Sequence, residues 1–249
     1  MQRQRHYSKA PIKEAVIDLR VTLPEGFPVD KFADIRTFVS DRFPTVELIY
    51  TGTGALVFQP GLPVQMAANQ EHNGFLFRSE DNKKVFQARL NGFTFNRLAP
   101  YESWDEFSSD AKYLWEIYKA TCKPLYVGRV AVRFINQLNI PTKELGDLRE
   151  YLSTVPEVAP TLPQKLLSAF FMQLQLPQED LNCMLIINEA LTPPTDPEFV
   201  SILLDFDLFR EQIWQSDDEA VWRFLEDLRH RKNQVFEACI TDKTRRLIE

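Results

Sequence analysis

Apolar and polar residues alternate with period two through several stretches of this chain. In others they recur near period 3.6, and the contrast places its strands and helices. Ala15, Ile17, Leu19 and Val21 fall on one face of an extended run, with Glu14, Asp18 and Arg20 on the other. Val130, Val132, Phe134 and Leu138 oppose Arg133, Gln137 and Asn139; Phe170, Met172, Leu174 and Leu176 oppose Gln173 and Gln175; Ile202, Leu204, Phe206 and Leu208 oppose Asp205 and Asp207. One-sided alternation is the mark of an antiparallel sheet covered by helices on one face only. It predicts that Ile17, Leu19, Val132, Phe134, Leu204 and Phe206 are buried beneath those helices.

Helical period appears in four places. Residues 29–39, stopped by Pro44, and residues 142–152 read as short helices. Ser103 stands three residues before Glu106 in capping-box spacing, and opens a stripe of Trp104, Phe107, Ala111, Leu114 and Tyr118. Asp217 opens the last helix, with Val221, Leu225, Leu228, Val235, Phe236 and Cys239 on one side. Between helices, residues 46–50 and 55–59 flank a Thr-Gly-Thr-Gly turn at 51–54, and residues 74–79 and 84–98 flank a turn at 80–83; each set reads as a hairpin. The second half offers strands at 127–140, 169–176, 183–189 and 199–209.

The order repeats. A strand beginning at Ala15 has a counterpart beginning at Val130, and a Trp-led helix near Trp104 has one near Trp222; the offsets are 115 and 118 residues. The expected architecture is therefore α+β and internally duplicated, a strand-helix-strands-helix unit over 1–123 and again over 124–249. The units would form one compact pseudo-twofold body, a sheet of TATA-binding-protein-like or helix-grip-like form. Regular βαβ alternation is missing, so a doubly wound parallel sheet is not expected.

Three strings carry a resemblance: Pro11-Ile-Lys-Glu-Ala-Val-Ile-Asp-Leu19, Arg133-Phe-Ile-Asn-Gln-Leu-Asn-Ile-Pro141 and Leu228-Arg-His-Arg-Lys-Asn-Gln-Val-Phe-Glu-Ala-Cys-Ile-Thr-Asp242. Together they resemble a sporadically distributed, uncharacterised bacterial family of about this length, over nearly the whole chain. The resemblance implies a bacterial protein with a gene neighbourhood linked to defence or mobile elements. It implies no activity, cofactor or catalytic residue.

Composition narrows the partner classes. With 249 residues, 44% hydrophobic and 26% charged, the chain is long enough for a substantial core. A net charge of −6 disfavours a protein devoted to phosphate backbones. Basic clusters at the N-terminus, at 229–232 and at 243–246 keep nucleic acid as a less favoured partner. The sequence shows neither a membrane span nor a signal peptide, and the expected location is cytoplasmic. Three scattered cysteines (Cys122, Cys183, Cys239) fit neither a disulfide framework nor a zinc site.

Two constellations carry candidate chemistry. Asp205 and Asp207 share one strand face, as do Glu14 and Asp18. If those strands are neighbours, the four carboxylates converge on a divalent cation and suit phosphoester chemistry. If they are not, the acids belong to cross-strand pairs such as Arg133 with Asp205. The second constellation is on the last helix. Lys232 falls in the apolar stripe with Arg229 and Asn233 at its edge, His230 points away, and the Lys232 ammonium is expected to meet an acidic or carbonyl oxygen at the seam between the units. No cofactor is called for. The leading function is a non-enzymatic module that holds a protein or small ligand through the open sheet face or the seam, with Arg133, Gln137, Asp205, Asp207, Arg229, Lys232 and Asn233 as contacts and homodimerisation compatible with it. The alternatives are a metal-dependent phosphoesterase or nuclease using Glu14, Asp18, Asp205 and Asp207, and a nucleic-acid-binding protein.

Overall fold

The computed structural model describes residues 5, 7–57, 65–144, 146–164, 167–194, 196–216 and 219–249, with the side chains of 53–57, 65–69 and 144 outside the description. The strands are β1 (Ile12–Thr22), β2 (Thr45–Val57), β3 (Gln65–Arg78), β4 (Lys84–Arg89), β5 (Gly92–Leu98), β6 (Tyr126–Pro141), β7 (Phe171–Gln178), β8 (Cys183–Thr192) and β9 (Phe199–Trp214). The helices are α1 (Arg36–Val39), α2 (Trp104–Cys122), α3 (Glu219–Cys239) and α4 (Asp242–Ile248). The fold is α+β. The nine strands of the described residues form a single antiparallel sheet in the order β2-β3-β4-β5-β1-β6-β9-β8-β7.

The covered face is the one that alternation selects. Ile17, Leu19, Val132, Phe134, Leu204 and Phe206 are all fully buried. Phe93 and Phe95 of β5 lie beside Leu19 and Ile17 and take the aromatic side of α2, with Phe95 and Phe107 stacked at 5.4 Å and Phe93 edge-on to Trp115 at 5.6 Å. Phe206 meets Phe236 of α3 edge-on at 6.4 Å. Ser103 caps α2 by accepting from the Glu106 N–H at 3.2 Å. The two helices are tied by Trp104 Nε1 donating to Glu226 and by Lys112 on Glu219 at 2.8 Å. Two glycines are dictated by close approach. A Cβ on Gly74 would sit 2.1 Å from the Ala88 carbonyl oxygen, and one on Gly92 2.6 Å from that of Leu19.

Several local expectations are corrected. Residues 51–54 do not turn: they run inside β2, paired with β3 from Thr45 opposite Arg78 to Val57 opposite Gln65. Their threonines favour extended backbone and β3 supplies a continuous partner. The chain between β2 and β3 lies outside the described residues. Residues 84–98 are two strands, closed by a two-residue turn at Leu90 and Asn91 between the paired Arg89 and Gly92. The expected helix at 29–39 is a 3-10 segment (Val29–Ile35) running into α1, because its buried residues Phe32, Ile35 and Val39 are spaced by three and then four. The one expected at 142–152 is two 3-10 turns, Thr142–Glu144 and Leu148–Glu150, the second capped by Asp147 accepting from the Arg149 N–H. α3 is described from Glu219, so the expected start at Asp217 lies outside the described residues. Among the described residues no helix is long and apolar enough to cross a membrane.

Candidate functional site

The uncovered face gathers its polar residues at the sheet centre. Opposite Asp18 stand Thr94 on β5 and Ala131 on β6; opposite Arg133 stand Val16 on β1 and Asp207 on β9; opposite Asp205 stand Ile135 and Asn188. This register turns separate strand faces into one network. Asp18 Oδ2 accepts from Thr94 Oγ1 at 2.8 Å and from Arg89 at 3.0 Å, while Oδ1 accepts from Arg20 at 2.9 Å and from Arg129 at 3.1 Å. Arg129 also donates to Asp207 Oδ2 at 3.2 Å, and its guanidinium lies 4.2 Å from the centre of the Phe209 ring. Arg133 donates through Nε and Nη2 to both oxygens of Asp205 at 2.8 and 2.7 Å, and Asn188 donates to the same carboxylate at 2.9 Å. Glu14 accepts from Asn96 at 2.5 Å.

The two acidic pairs are therefore not side by side. β6 lies between β1 and β9, so Glu14 and Asp18 are not cross-strand neighbours of Asp205 and Asp207. The arginines of β6 reach into that gap: Arg129 bridges Asp18 to Asp207, and Arg133 holds Asp205. Among the described residues no group of three or more His, Cys, Asp or Glu is placed to hold a metal ion.

Burial sharpens the electrostatics. Asp205 is 1% exposed, and its carboxylate, paired with both Nε and Nη2, holds Arg133 above its ordinary range. Burial pushes Asp207 up, opposed by Arg129 and Arg133, and its Oδ1 has no hydrogen-bond partner among the described residues. Arg89 is pushed down by burial despite Asp18, and its Nε is likewise unpartnered. Half-buried apolar side chains surround the network: Val16, Ile135, Met184, Ile186 and Phe209. Gln137, farther along β6, donates to Asn139 at 3.2 Å and stands apart from the network.

The α3 constellation differs from expectation. Lys232 is buried, but its ammonium meets no acidic or carbonyl oxygen among the described residues. It lies 4.0 Å from the centre of the Phe134 ring instead. Burial, reinforced by the Arg229 charge, pushes it down to about 7. The reason is geometric: Lys232 faces β6 at Phe134, on the apolar side of the sheet, and Glu226 of the same helix is occupied by Arg229 at 2.9 Å and by Trp104. Among the described residues Asn233 joins no cluster, and His230 points away, as expected, 59% exposed beside Glu226. On the same covered side, Glu189 of β8 is 2% exposed, its Oε1 is unpartnered, and burial pushes it up to about 7. An open cleft of about 430 Å³ lies at the end of β9, where Arg210, Trp214 and Phe224 meet Arg223 and Asp227.

Sequence reasoning missed Arg89, Thr94, Asn96, Arg129 and Asn188. Thr94 and Asn96 alternate with Phe93 and Phe95, and Arg129 lies four residues before Arg133 on the same strand face; the alternation that selected the acids selects these too.

The chain matches no protein-family model, no curated protein and no solved structure. What it does must be read from this geometry.

Proposed function

We propose that this protein is a non-enzymatic interaction module and that the uncovered face of its sheet is the surface that holds a protein partner. The observation that carries the reading is the central network itself. Asp18, Asp205 and Asp207 each already accept from at least one arginine, so the charges are held in fixed positions before any partner arrives. Pre-organised charge framed by half-buried apolar residues suits recognition, because little side-chain ordering remains when a partner docks. General acid–base chemistry needs a titratable group free to take or give a proton, and both oxygens of Asp18 and of Asp205 already accept hydrogen bonds. The charges interleave rather than forming a positive stripe, which favours a protein over a nucleic acid.

We propose further that the body is two related units about a pseudo-twofold at the β1 and β6 pair, in the TATA-binding-protein or helix-grip manner. Two features support it. Outward from β1 the strands run β5, β4, β3, and outward from β6 they run β9, β8, β7; each series is followed by one long helix on the covered face. Among the described residues β2 has no counterpart in the second unit.

Met184→Asp provides the test. It places a charge on the apolar frame opposite Phe209 and Pro177, with no acid directly across from it. Tagged chain recovered from cells should lose the partner that co-purifies with the wild type, while the melting temperature stays near the wild-type value. Unchanged recovery would remove the face from the interaction.

A further inference from the structure

The sheet's outer edge at β7 is built without charge. Phe171–Gln178 contains no Asp, Glu, Lys or Arg, although edge strands are ordinarily protected by charge, and its proline, Pro177, stands at the end of the strand. Leu191 N–H donates to the Phe170 carbonyl at 3.3 Å, and with the β7/β8 register this sets the alternation of the edge. Residues 172, 174 and 176 turn their peptide groups toward β8; Phe171, Gln173, Gln175 and Pro177 turn theirs outward. Among the described residues no other backbone group bonds to this outward row. Phe171 is 69% exposed, and Gln173 and Gln175 are exposed beside it.

We propose that β7 pairs antiparallel with β7 of a second copy of this chain, about a twofold axis through Leu174, so that one sheet runs through both chains. The strand is self-complementary in this register. Leu174 meets Leu174 of the second copy, and Met172 meets its Leu176, on the covered face. Gln173 meets Gln175 and Phe171 meets Pro177 on the open face. Apolar residues thus face apolar residues and amides face amides, and no charge faces its own copy across the axis. The hydrogen-bonding parity agrees: Gln173 and Gln175 exchange N–H and C=O in both directions, and the N–H that Pro177 lacks falls at the last rung. An axis at Gln175 would bring that missing donor inside the ladder, and an axis at Gln173 would set Phe171 against Gln175. The interface is distinct from the Asp18/Arg129 network at the sheet centre and does not depend on the function proposed for it.

Sedimentation velocity of the full chain from low to high micromolar concentration tests the proposal. The expected species is a dimer at twice the 29.0 kDa chain mass. Gln173→Lys with Gln175→Lys sets lysine opposite lysine at exposed positions and should yield a folded monomer by circular dichroism. Mixing that variant with Gln173→Glu plus Gln175→Glu should restore a mixed dimer. Leu174→Cys should cross-link under oxidation, because directly opposed residues outside the hydrogen-bonded pairs lie about 4.5 Å apart at Cα, within disulfide reach. A wild-type chain that stays monomeric throughout, or a dimer that survives the paired lysines, overturns the proposal.

Discussion

Replacing Lys232 by Met isolates the cost of a buried amine. Its ammonium has no hydrogen-bond acceptor among the described residues, lies 4.0 Å from the centre of the Phe134 ring, and is pushed by burial from 10.5 down to about 7. The unfolded chain keeps the ordinary value. Between pH 7 and the unfolded value the unfolded state therefore holds a proton that the native state has lost, so native stability rises with pH through that window. Below pH 7 both states are protonated and this slope vanishes. The slope approaches about 1.4 kcal/mol per pH unit, so the gain from pH 7 to pH 9 is on the order of 2 kcal/mol. The Phe134 ring favours the ammonium and works against burial, which reduces the gain. Urea denaturation of wild type and Lys232→Met, run in parallel from pH 6 to pH 9, reads the effect as a difference in which other titrating groups cancel. Met keeps the volume of the stem, so the variant should fold, be more stable near pH 7, and lose its advantage as pH rises. A difference independent of pH would mean that the ammonium reaches water by snorkelling, and the reasoning would fail.

Glu189 makes the mirror-image prediction. Burial raises it to about 7, so between its unfolded value near 4.5 and pH 7 the native state holds the extra proton and stability falls as pH rises, by up to about 3 kcal/mol; Glu189→Gln should flatten that window in the same denaturation assay. Asp205→Asn leaves Arg133 with a weaker partner and should cost about 1–3 kcal/mol. Its melting temperature should answer magnesium or manganese no differently from the wild type, whereas loss of an ion-dependent rise seen in the wild type would favour the phosphoesterase alternative.

The covered face was legible because a strand with one buried side must alternate, and Ile17, Val132, Phe134 and Phe206 each follow from that rule. The Ser103 cap was legible because capping is local chemistry. What failed was non-local. Two-residue alternation says which face Asp18 and Asp205 occupy but not which strand stands between them, and β6 with Arg129 and Arg133 turns a candidate cation site into a salt-bridged network. The Gly52 and Gly54 turn failed for a related reason: a glycine pair permits a turn, and a paired β3 keeps the backbone extended instead. At Lys232 helical periodicity placed the side chain correctly, but the nature of its neighbour depended on which β6 residue it met, and that residue is Phe134.

The central claim, that the uncovered face holds a partner, is tested most directly by site-specific photo-cross-linking in cells. A benzophenone amino acid placed at Ile135 or Ile186 should give a discrete cross-linked species of higher mass, while the same group at Glu116 or Gln234, exposed on α2 and α3, should give none. Cross-links confined to the helix positions, or absent from the sheet positions, would contradict the account.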